Sequence, residues 1–386
     1  MFPTKKSELI INIKKFSKNE LSSHSAKRNF DNGPPHKNVS KLSPYIRRRF
    51  MSEDEILKII LQNHKISRLN KFIEEIFWRT YWRGWLELHP WIYQKFEEKN
   101  KEIFVPKKTG IKCFDYWTDE LMQTGYLHNH SRMWYASIWI FTLGYSLEDG
   151  INFFKNNLID WCPASNTLGW RWVAGLQTIG KPYLANSDNI KTFTNNRFNP
   201  KGQLKENIDF DFSNFSNGKA NYFNYTVKIN FKYQDNIGIV LNNNDLSLDV
   251  FLDDLNINYE VCLFKKRALN SRKNILITKF EDELYQNILT QSKNIELIET
   301  VNSLIEWTKN KKIETLILPY ETTGNTIFNT KPIIKKFMEN KINFVFYLRD
   351  WDKNAFPLAN KGFFNFKKNI PELLNKIDLS VFKKFI

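Results

Sequence analysis

The chain has 386 residues and a formal net charge of +16; 42% of its residues are hydrophobic and 15% are aromatic. This apolar content suffices for a buried core and excludes a chain that is disordered throughout. The longest strongly apolar run, residues 134–143, is far short of the ~20 residues that span a bilayer. The N-terminus lacks the apolar segment of a signal peptide. We therefore expect a cytoplasmic protein of two domains.

The positive charge is concentrated in the first part of the chain. Residues 1–205 contain 32 Lys and Arg against 19 Asp and Glu, whereas residues 206–386 contain 25 against 22. The first part also holds ten of the twelve tryptophans and all six histidines. The composition bias of an AT-rich genome would act on both parts equally. The asymmetry therefore favours a polyanionic partner such as nucleic acid, with a stacking or redox role for the tryptophans.

From residue 40 to about residue 198 the patterning is helical. Residues 24–37, which include Gly33-Pro34-Pro35, predict a loop ahead of it. Ser52 and Glu55 have the spacing of a capping box. Further helices are predicted from Phe72 to about His89 and over residues 114–123, 130–143, 152–158 and 170–178. Without alternating strand patterns, residues 1–205 are predicted to form an all-α domain.

The patterning changes after residue 205. Residues 206–235 have no clear period and predict a connector, and their phenylalanines favour an ordered surface wrap over a flexible linker. From residue 236, short apolar runs at 237–241, 259–264, 315–320 and 342–348 alternate with helical stretches at 281–291, 301–310 and 332–339. This alternation is typical of buried parallel strands, so residues 236–386 are predicted to form a small Rossmann-like α/β domain. No glycine-rich nucleotide-binding motif marks it.

Several segments of the helical domain carry candidate chemistry. Ser40 and Ser43 flank a turn that can hold phosphate oxygens, although plain helix capping is the commoner role of such a turn. Glu75, Arg79 and Trp82 share a helix face with Trp78 beside it, which favours a partly buried cluster over a solvated ion pair. Tryptophans in such a cluster can stack on bases.

Two later segments predict an ion pair and a cofactor pocket. A buried Arg132 requires an anion, for which Asp160 is the candidate. His128 and His130, two apart on a helix, do not converge on a metal, and the three cysteines are too scattered for a zinc site, so no metal is expected. The acid, turn, amide and tryptophan-bearing helix of residues 158–175 indicate a pocket for a planar cofactor; the alternative is an aromatic core with a turn.

Six segments occur in an order that resembles the flavin-binding domain of the DNA photolyase/cryptochrome family over about residues 25–205. They are Val39-Ser-Lys-Leu-Ser43, Glu75-Ile-Phe-Trp-Arg79, Gly125-Tyr-Leu-His-Asn-His-Ser-Arg-Met133, Pro163-Ala-Ser-Asn166, Trp170-Arg-Trp172 and Arg197-Phe-Asn-Pro200. The sequence is similar to a bacterial photolyase-related subgroup. The resemblance implies a helical FAD-binding domain, and with the predicted α/β domain the expected fold is α + α/β. Photolyases generally place their α/β domain before the helical one, whereas here it follows.

The resemblance also implies roles for individual residues. FAD would contact Val39, Ser40, Leu42, Ser43, Phe72, Arg79, Asn129, Arg132, Asp160, Cys162 and Asn166, with Asn166 near the flavin N5 and the Val39–Ser43 turn at the pyrophosphate. A flipped pyrimidine dimer would contact Glu75, Trp78, Asn129, Met133 and Trp172. Catalytic roles are implied for Glu75, Asn166 and Trp170, the last as the electron donor closest to the flavin.

These implications predict a monomeric photolyase-like lyase that splits cyclobutane pyrimidine dimers in DNA by electron transfer from reduced FAD. An antenna chromophore is left open. Cys162, Trp161 and His24 depart from the usual family residues, as does Leu147 at the second tryptophan of the electron chain, where Tyr145, Trp134 and Trp139 offer another route. Two alternatives follow: a cryptochrome-like blue-light photoreceptor that binds FAD without repair, and a structural relative without flavin.

Overall fold

The N-terminal part of the computed structural model is helical; the structure describes residues 2–65, 69–97, 104–208, 212–227, 236–249, 259–266, 274–291 and 294–376. Up to residue 205 the described residues contain eleven α-helices. These are α1 (Lys6–Asn19), α2 (Leu21–Lys27), α3 (Ser43–Arg48), α4 (Glu53–Leu61), α5 (Asn70–Leu88), α6 (Trp91–Glu97), α7 (Lys112–Thr124), α8 (Asn129–Ser137), α9 (Leu147–Asn157), α10 (Pro163–Val173) and α11 (Ser187–Phe193).

The C-terminal part is built on a parallel five-stranded sheet of order β3-β2-β1-β4-β5. Its elements are β1 (Ile237–Leu241), β2 (Tyr259–Phe264), α12 (Ile275–Gln291), β3 (Glu296–Ile298), α13 (Val301–Asn310), β4 (Thr315–Pro319), α14 (Lys331–Glu339), β5 (Phe344–Tyr347), α15 (Asp350–Ala355), α16 (Phe363–Lys367) and α17 (Ile370–Lys376). The predicted fold class, helical followed by α/β, is confirmed.

Local sequence signals account for several helix ends. Ser52 and Glu55 form the predicted capping box, in which each side chain meets the other residue's backbone N–H. His128 caps α8 by accepting a hydrogen bond from the His130 amide. Gly125 ends α7 in the left-handed region, at φ 68°. The predicted helix over residues 130–143 forms as α8 followed by a turn of π-helix, Ile138–Thr142.

Some predicted boundaries were wrong. Helix α10 begins at Pro163, not at Trp170, so the amide of Asn166 lies in the first turn of a helix and not in a loop. Helices α1, α2 and α11 and strand β3 were not predicted, and neither were α15–α17. The 24–37 loop prediction overlaps α2, which ends at Lys27.

The predicted connector lies partly within the described residues. Between residues 212 and 227 it contacts both parts of the protein: the Asn221 amide donates to the Leu88 carbonyl over 2.7 Å, and the Tyr225 hydroxyl donates to the Phe346 carbonyl over 2.9 Å. These contacts agree with an ordered wrap. The domain boundaries at residues 205 and 236 stay a prediction.

A single apolar core joins the two parts. It includes side chains of α1, α4 and α5 from the helical part and of β1, α12 and α15–α17 from the α/β part. Helices α15 and α16 pack directly on α5, where Trp351 stacks on Phe77 with ring centroids 4.7 Å apart. Among the described helices, none combines the length and apolarity needed to cross a membrane.

Candidate functional site

Asp160 is the centre of a buried polar cluster. Its Oδ2 accepts hydrogen bonds from the Ser43 hydroxyl over 2.6 Å and from the Arg132 guanidinium over 2.9 Å. The side chain of Asp160 is only 2% exposed, and its Oδ1 has no hydrogen-bond partner among the described residues. Arg132 is oriented by a second bond, from Nε to the Leu127 carbonyl. The predicted ion pair between Arg132 and Asp160 is therefore confirmed.

A cavity of about 800 Å³ lies next to this cluster. Three of the predicted FAD contacts, Val39, Ser40 and Leu42, line it. Tyr126 and Ile159 connect it to the cluster, because both line the cavity while Ile159 precedes Asp160 and the Tyr126 ring lies 5.2 Å from the Arg132 guanidinium. The remaining walls are largely apolar and come from α1 and the segment before it, the loop of residues 34–37, the end of α7, and α12.

The rim of the cavity is cationic overall. Four lysines (Lys15, Lys37, Lys41 and Lys279) line it, against two acidic residues (Glu20 and Glu283). Burial lowers the pKa of the Lys41 ammonium, and burial raises the pKa of the Glu20 carboxyl. Both shifts indicate a poorly hydrated surface, on which the charge of a bound anion would be weakly screened.

Helix α10 places the predicted Asn166 and Cys162 in a neighbouring layer. Asn166 is buried and its amide donates to the Cys162 carbonyl over 3.2 Å. Burial raises the pKa of the Cys162 thiol, but Arg79, Arg47 and hydrogen bonds from Ser165 outweigh burial and bring it to about 7. None of Asn166, Cys162 and Arg79 lines the large cavity.

Two further predicted FAD contacts also lie away from the cavity wall. Phe72 packs against Phe16 and His24, with ring centroids 5.9 and 5.7 Å away, and Phe16 rather than Phe72 lines the cavity. Asn129, the first residue of α8, is exposed. Their predicted contacts with FAD are not provided by the large cavity.

Two of the residues predicted to bind a pyrimidine dimer, Trp78 and Glu75, contact other side chains of the protein. Phe363 of α16 stacks on Trp78, with ring centroids 3.6 Å apart and planes 13° apart. Glu75 is engaged by Arg28 over 3.1 Å and by His24 over 3.0 Å. Phe363 therefore covers one face of the Trp78 ring.

Met133 and Trp172 belong to a different apolar cluster from Trp78. The Trp172 ring stacks on Tyr183 at 5.5 Å. Neither side chain lines the large cavity. A shared contact of these residues with a pyrimidine dimer stays a prediction.

An aromatic series runs outward from the predicted electron donor. Trp170 lies 5.9 Å from Trp139, which lies 5.3 Å from Tyr145 and 5.5 Å from Phe104, centroid to centroid. Phe104 is partly exposed. Trp134 instead contacts Trp117 and His130. Of the three residues of the predicted alternative route, Trp139 and Tyr145 lie in this series, and the route itself stays a prediction.

A buried network that the sequence analysis missed holds the loop before Val39. Asp31 accepts hydrogen bonds from Trp117, Ser131 and the Gly33 amide and pairs with Arg197. These partners outweigh burial and hold the pKa of Asp31 well below its usual range. The sequence did not predict these contacts of Asp31, because the glycine and prolines that follow it indicate only a loop.

His36 continues this network into the cavity wall. Its Nε2 lies 2.7 Å from Glu120, and its pKa is raised because hydrogen bonds to Asp31 and Glu120 outweigh burial. Within the described ranges, no three His, Cys, Asp or Glu side chains are grouped closely enough to hold a metal ion.

The chain is similar to DNA photolyases over its helical part. Residues 59–209 match the family described as the FAD binding domain of DNA photolyase. A deoxyribodipyrimidine photo-lyase of Alkalihalophilus pseudofirmus is 29% identical over 188 residues, 44% of this chain and 38% of the relative. That of Escherichia coli is 25% identical over 199 residues, 47% of this chain and 42% of the relative. The chain thus spans about two fifths of the length of these curated relatives.

Among solved structures, a class III photolyase from Agrobacterium tumefaciens aligns with half of this chain and 43% of its own, at 23% identity. The TM-score is 0.40, too low for that alignment to add to the assignment. The family match spans the Arg132–Asp160 pair and the α10 motif, and the ordered motifs extend it to the Val39–Ser43 turn. Over residues 59–209, the chain is therefore similar to the FAD-binding domain of DNA photolyase.

Proposed function

We propose that this protein binds FAD in the large cavity and the adjoining Asp160 cluster, and uses it for light-driven repair of pyrimidine dimers in DNA. The observation that carries the proposal is the contact between the two: the cavity wall formed by Val39, Ser40 and Leu42 leads directly to Ser43, which bonds Asp160. The substrate class is taken from the relatives, which are named deoxyribodipyrimidine photo-lyases.

The residues present suit this cofactor. A volume of about 800 Å³ lies within the roughly 300–1,000 Å³ of ligand pockets in general. The aromatic and aliphatic walls match planar rings, and the cationic rim matches a diphosphate. The unpartnered Oδ1 of Asp160 is an acceptor that costs free energy while buried, so a donor from a ligand would stabilise it.

When bound, reduced FAD supplies an electron donor that light can excite. The chain's part is to hold charge and exclude water. Arg132 is the cation closest to Asp160 in the cluster, and its two hydrogen bonds fix its position before any ligand arrives. Such preorganised charge stabilises an anion without reorganising during the reaction. The rings of Trp170, Trp139 and Tyr145 are the chain's own oxidisable groups leading away from α10.

The DNA partner is supported by the charge of the helical part. Its excess of positive charge over residues 1–205 predicts binding that weakens steeply with salt, because each phosphate contact releases counterions. DNA binding measured between low and high salt would give that slope. A slope near zero would exclude the basic part as the DNA-binding surface.

The cofactor proposal is tested by the absorption spectrum of the purified protein, before and after incubation with FAD. We expect flavin bands that survive desalting in the wild type. Asp160→Asn should weaken FAD binding, because it breaks the pair with Arg132. Asp119→Asn is the matched control, since Asp119 is half-exposed and pairs only with a surface lysine among its described neighbours. A wild type that retains no FAD contradicts the proposal.

The repair proposal is tested by illuminating FAD-loaded protein with an oligonucleotide that contains one cyclobutane dimer. We expect loss of the dimer in the light and none in the dark. Normal FAD binding without dimer loss would contradict repair and leave the cofactor proposal in place.

A second candidate, a photoreceptor that binds FAD without repair, is favoured by one observation. Phe363 stacks on Trp78, and Glu75 is held by Arg28 and His24, so both residues already have partners within the protein. A photoreceptor has no need for a dimer pocket. Equal affinity of the wild type for damaged and undamaged DNA would favour this candidate.

A further inference from the structure

We propose that helix α12, from the α/β part of the chain, completes the FAD site, with Lys279 directed toward the cofactor's diphosphate and Phe280 as an apolar wall. The inference rests on the proposed function, because it takes the large cavity as the FAD site. It adds that the site is not confined to the helical domain. The family match ends at residue 209, so it assigns no role to α12.

One face of α12 lines the cavity. Leu276, Lys279, Phe280 and Glu283 all border it, and their spacing of i, i+3, i+4 and i+7 places them on a single side of the helix. The contact is therefore made by a whole face of α12 and not by one isolated side chain. The cavity therefore has a continuous wall contributed by the α/β part.

Lys279 is the cation on this face that is available to a ligand. It is exposed, and it makes no ion pair or hydrogen bond with the described residues. By contrast, Lys41 of the Val39–Ser43 turn already donates a hydrogen bond to the Pro35 carbonyl over 2.7 Å. A lysine ammonium on a flexible stem acts as a point charge for phosphate, so Lys279 suits a diphosphate that enters from solvent.

Helix α12 is fixed to the Asp160 cluster by Arg48. The buried guanidinium bonds Glu281 of α12 over 2.8 Å with one nitrogen and the Ile159 carbonyl over 2.7 Å with another. Phe280 lies beneath the same guanidinium, 5.4 Å away, and beside the Tyr45 ring. Because Ile159 precedes Asp160, this contact joins the cavity wall on α12 to the predicted flavin cluster.

The first test is the dissociation constant of FAD for the full chain, measured by quenching of flavin fluorescence. Lys279→Gln should raise it about fivefold at low ionic strength, the scale of one exposed charge pair, and Lys279→Glu should raise it further. The matched control is Lys353→Gln, which removes the same charge from an exposed site on α15 that does not border the cavity. At high salt the difference between Lys279→Gln and the wild type should shrink.

The second test does not depend on the lysine. Hydrogen exchange of the wild type with and without FAD should show slower exchange in residues 275–291 of α12 when FAD is bound. A wild type that binds FAD without slowing exchange in α12, and whose affinity is unchanged in Lys279→Gln, overturns this inference alone. A wild type that binds no FAD overturns the proposed function and this inference together.

Discussion

The two sides of the predicted site differ in how the structure assembles them. On the cofactor side, the Val39–Ser43 turn, Arg132 and Asp160 lie together beside a large cavity. On the substrate side, Trp78 is stacked under Phe363, and Trp172 lies in another cluster, against Tyr183. The cofactor side is built around motifs of the helical part, with α12 as one wall, whereas Trp78 on the substrate side is covered by α16 of the C-terminal part.

The largest expected effect comes from a substitution that disrupts the cofactor side. Asp160→Ala should cost roughly 3–5 kcal/mol in the free energy of unfolding, because it leaves the mostly buried Arg132 without its anion. Unfolding in urea measures this. Asp119→Ala, at an exposed pair, should change stability by no more than about 0.5 kcal/mol. Equal losses of stability in the two variants would contradict a buried ion pair between Arg132 and Asp160.

Removing the cover of Trp78 tests the substrate side. Phe363→Ala should cost about 3 kcal/mol of stability, since the ring is buried between Trp78 and Tyr81. Its neighbour Phe364 is 80% exposed, so Phe364→Ala should have little effect on unfolding in urea.

The same variant distinguishes repair from signalling. If Trp78 is a base-stacking residue behind a cover, Phe363→Ala should strengthen binding of dimer-containing DNA relative to Phe364→Ala, by up to the roughly 1–3 kcal/mol of one stacked base. If both variants discriminate equally between damaged and undamaged DNA, Trp78 is a core residue and does not stack on a base.

A smaller effect is expected where the aromatic series meets α9. Gly150 lies against Trp170, so a Cβ at this position would overlap the Trp170 ring and approach Trp139. Gly150→Ala should destabilise the protein by about 1–3 kcal/mol despite the better helix propensity of alanine. Gly169→Ala is the opposite control, since nothing lies within 4 Å of its Cβ position, and it should stabilise α10 by roughly 0.5–1 kcal/mol. Melting temperatures would show the contrast, and a stabilising Gly150→Ala would contradict the packing of Trp170.

The smallest effect concerns the loop that carries the cavity wall. The pKa of His36 is raised in the folded protein by Asp31 and Glu120. Protonated His36 therefore contributes stability that is complete below the unfolded pKa of about 6.5 and is lost as pH rises through the folded value. His36→Asn, which tolerates the positive φ of this position, should flatten this part of the pH profile.

The measurement is the urea midpoint at several values from pH 6 to pH 9. Taking the difference between the wild type and His36→Asn separates His36 from His128 and His130, whose pKa values burial lowers. A parallel pair of profiles would mean that the His36 contacts contribute nothing as ion pairs.

Sequence analysis predicted what short-range patterns determine. The Ser52 capping box, four of the five strands, and the pairing of Arg132 with Asp160 all follow from local spacing or from the need of a buried charge for a partner. The start of α10 was missed, although Cys162-Pro163 has the proline signature of a first helical turn.

Other features were beyond local patterns. Periodicity shows that the α5 face bearing Phe77, Trp78 and Tyr81 is buried, but not which segment covers it. Helices α15 and α16 do so from the far end of the chain. The approach of α12 to the cavity likewise depends on Arg48 and Glu281, two residues whose separation in sequence hides their contact.

The shared core has a consequence for any attempt to divide this protein. A fragment ending near residue 205 would carry α5 without the rings of Trp351, Phe363 and Phe366, leaving the aromatic side chains of Phe77, Trp78 and Tyr81 open to water. It would also leave Arg49 without its 2.7 Å partner Asp352. Contiguous apolar patches of this kind promote self-association. Expression of the helical half alone should therefore give a fragment that aggregates. The two halves of the full chain are expected to unfold together, in one transition.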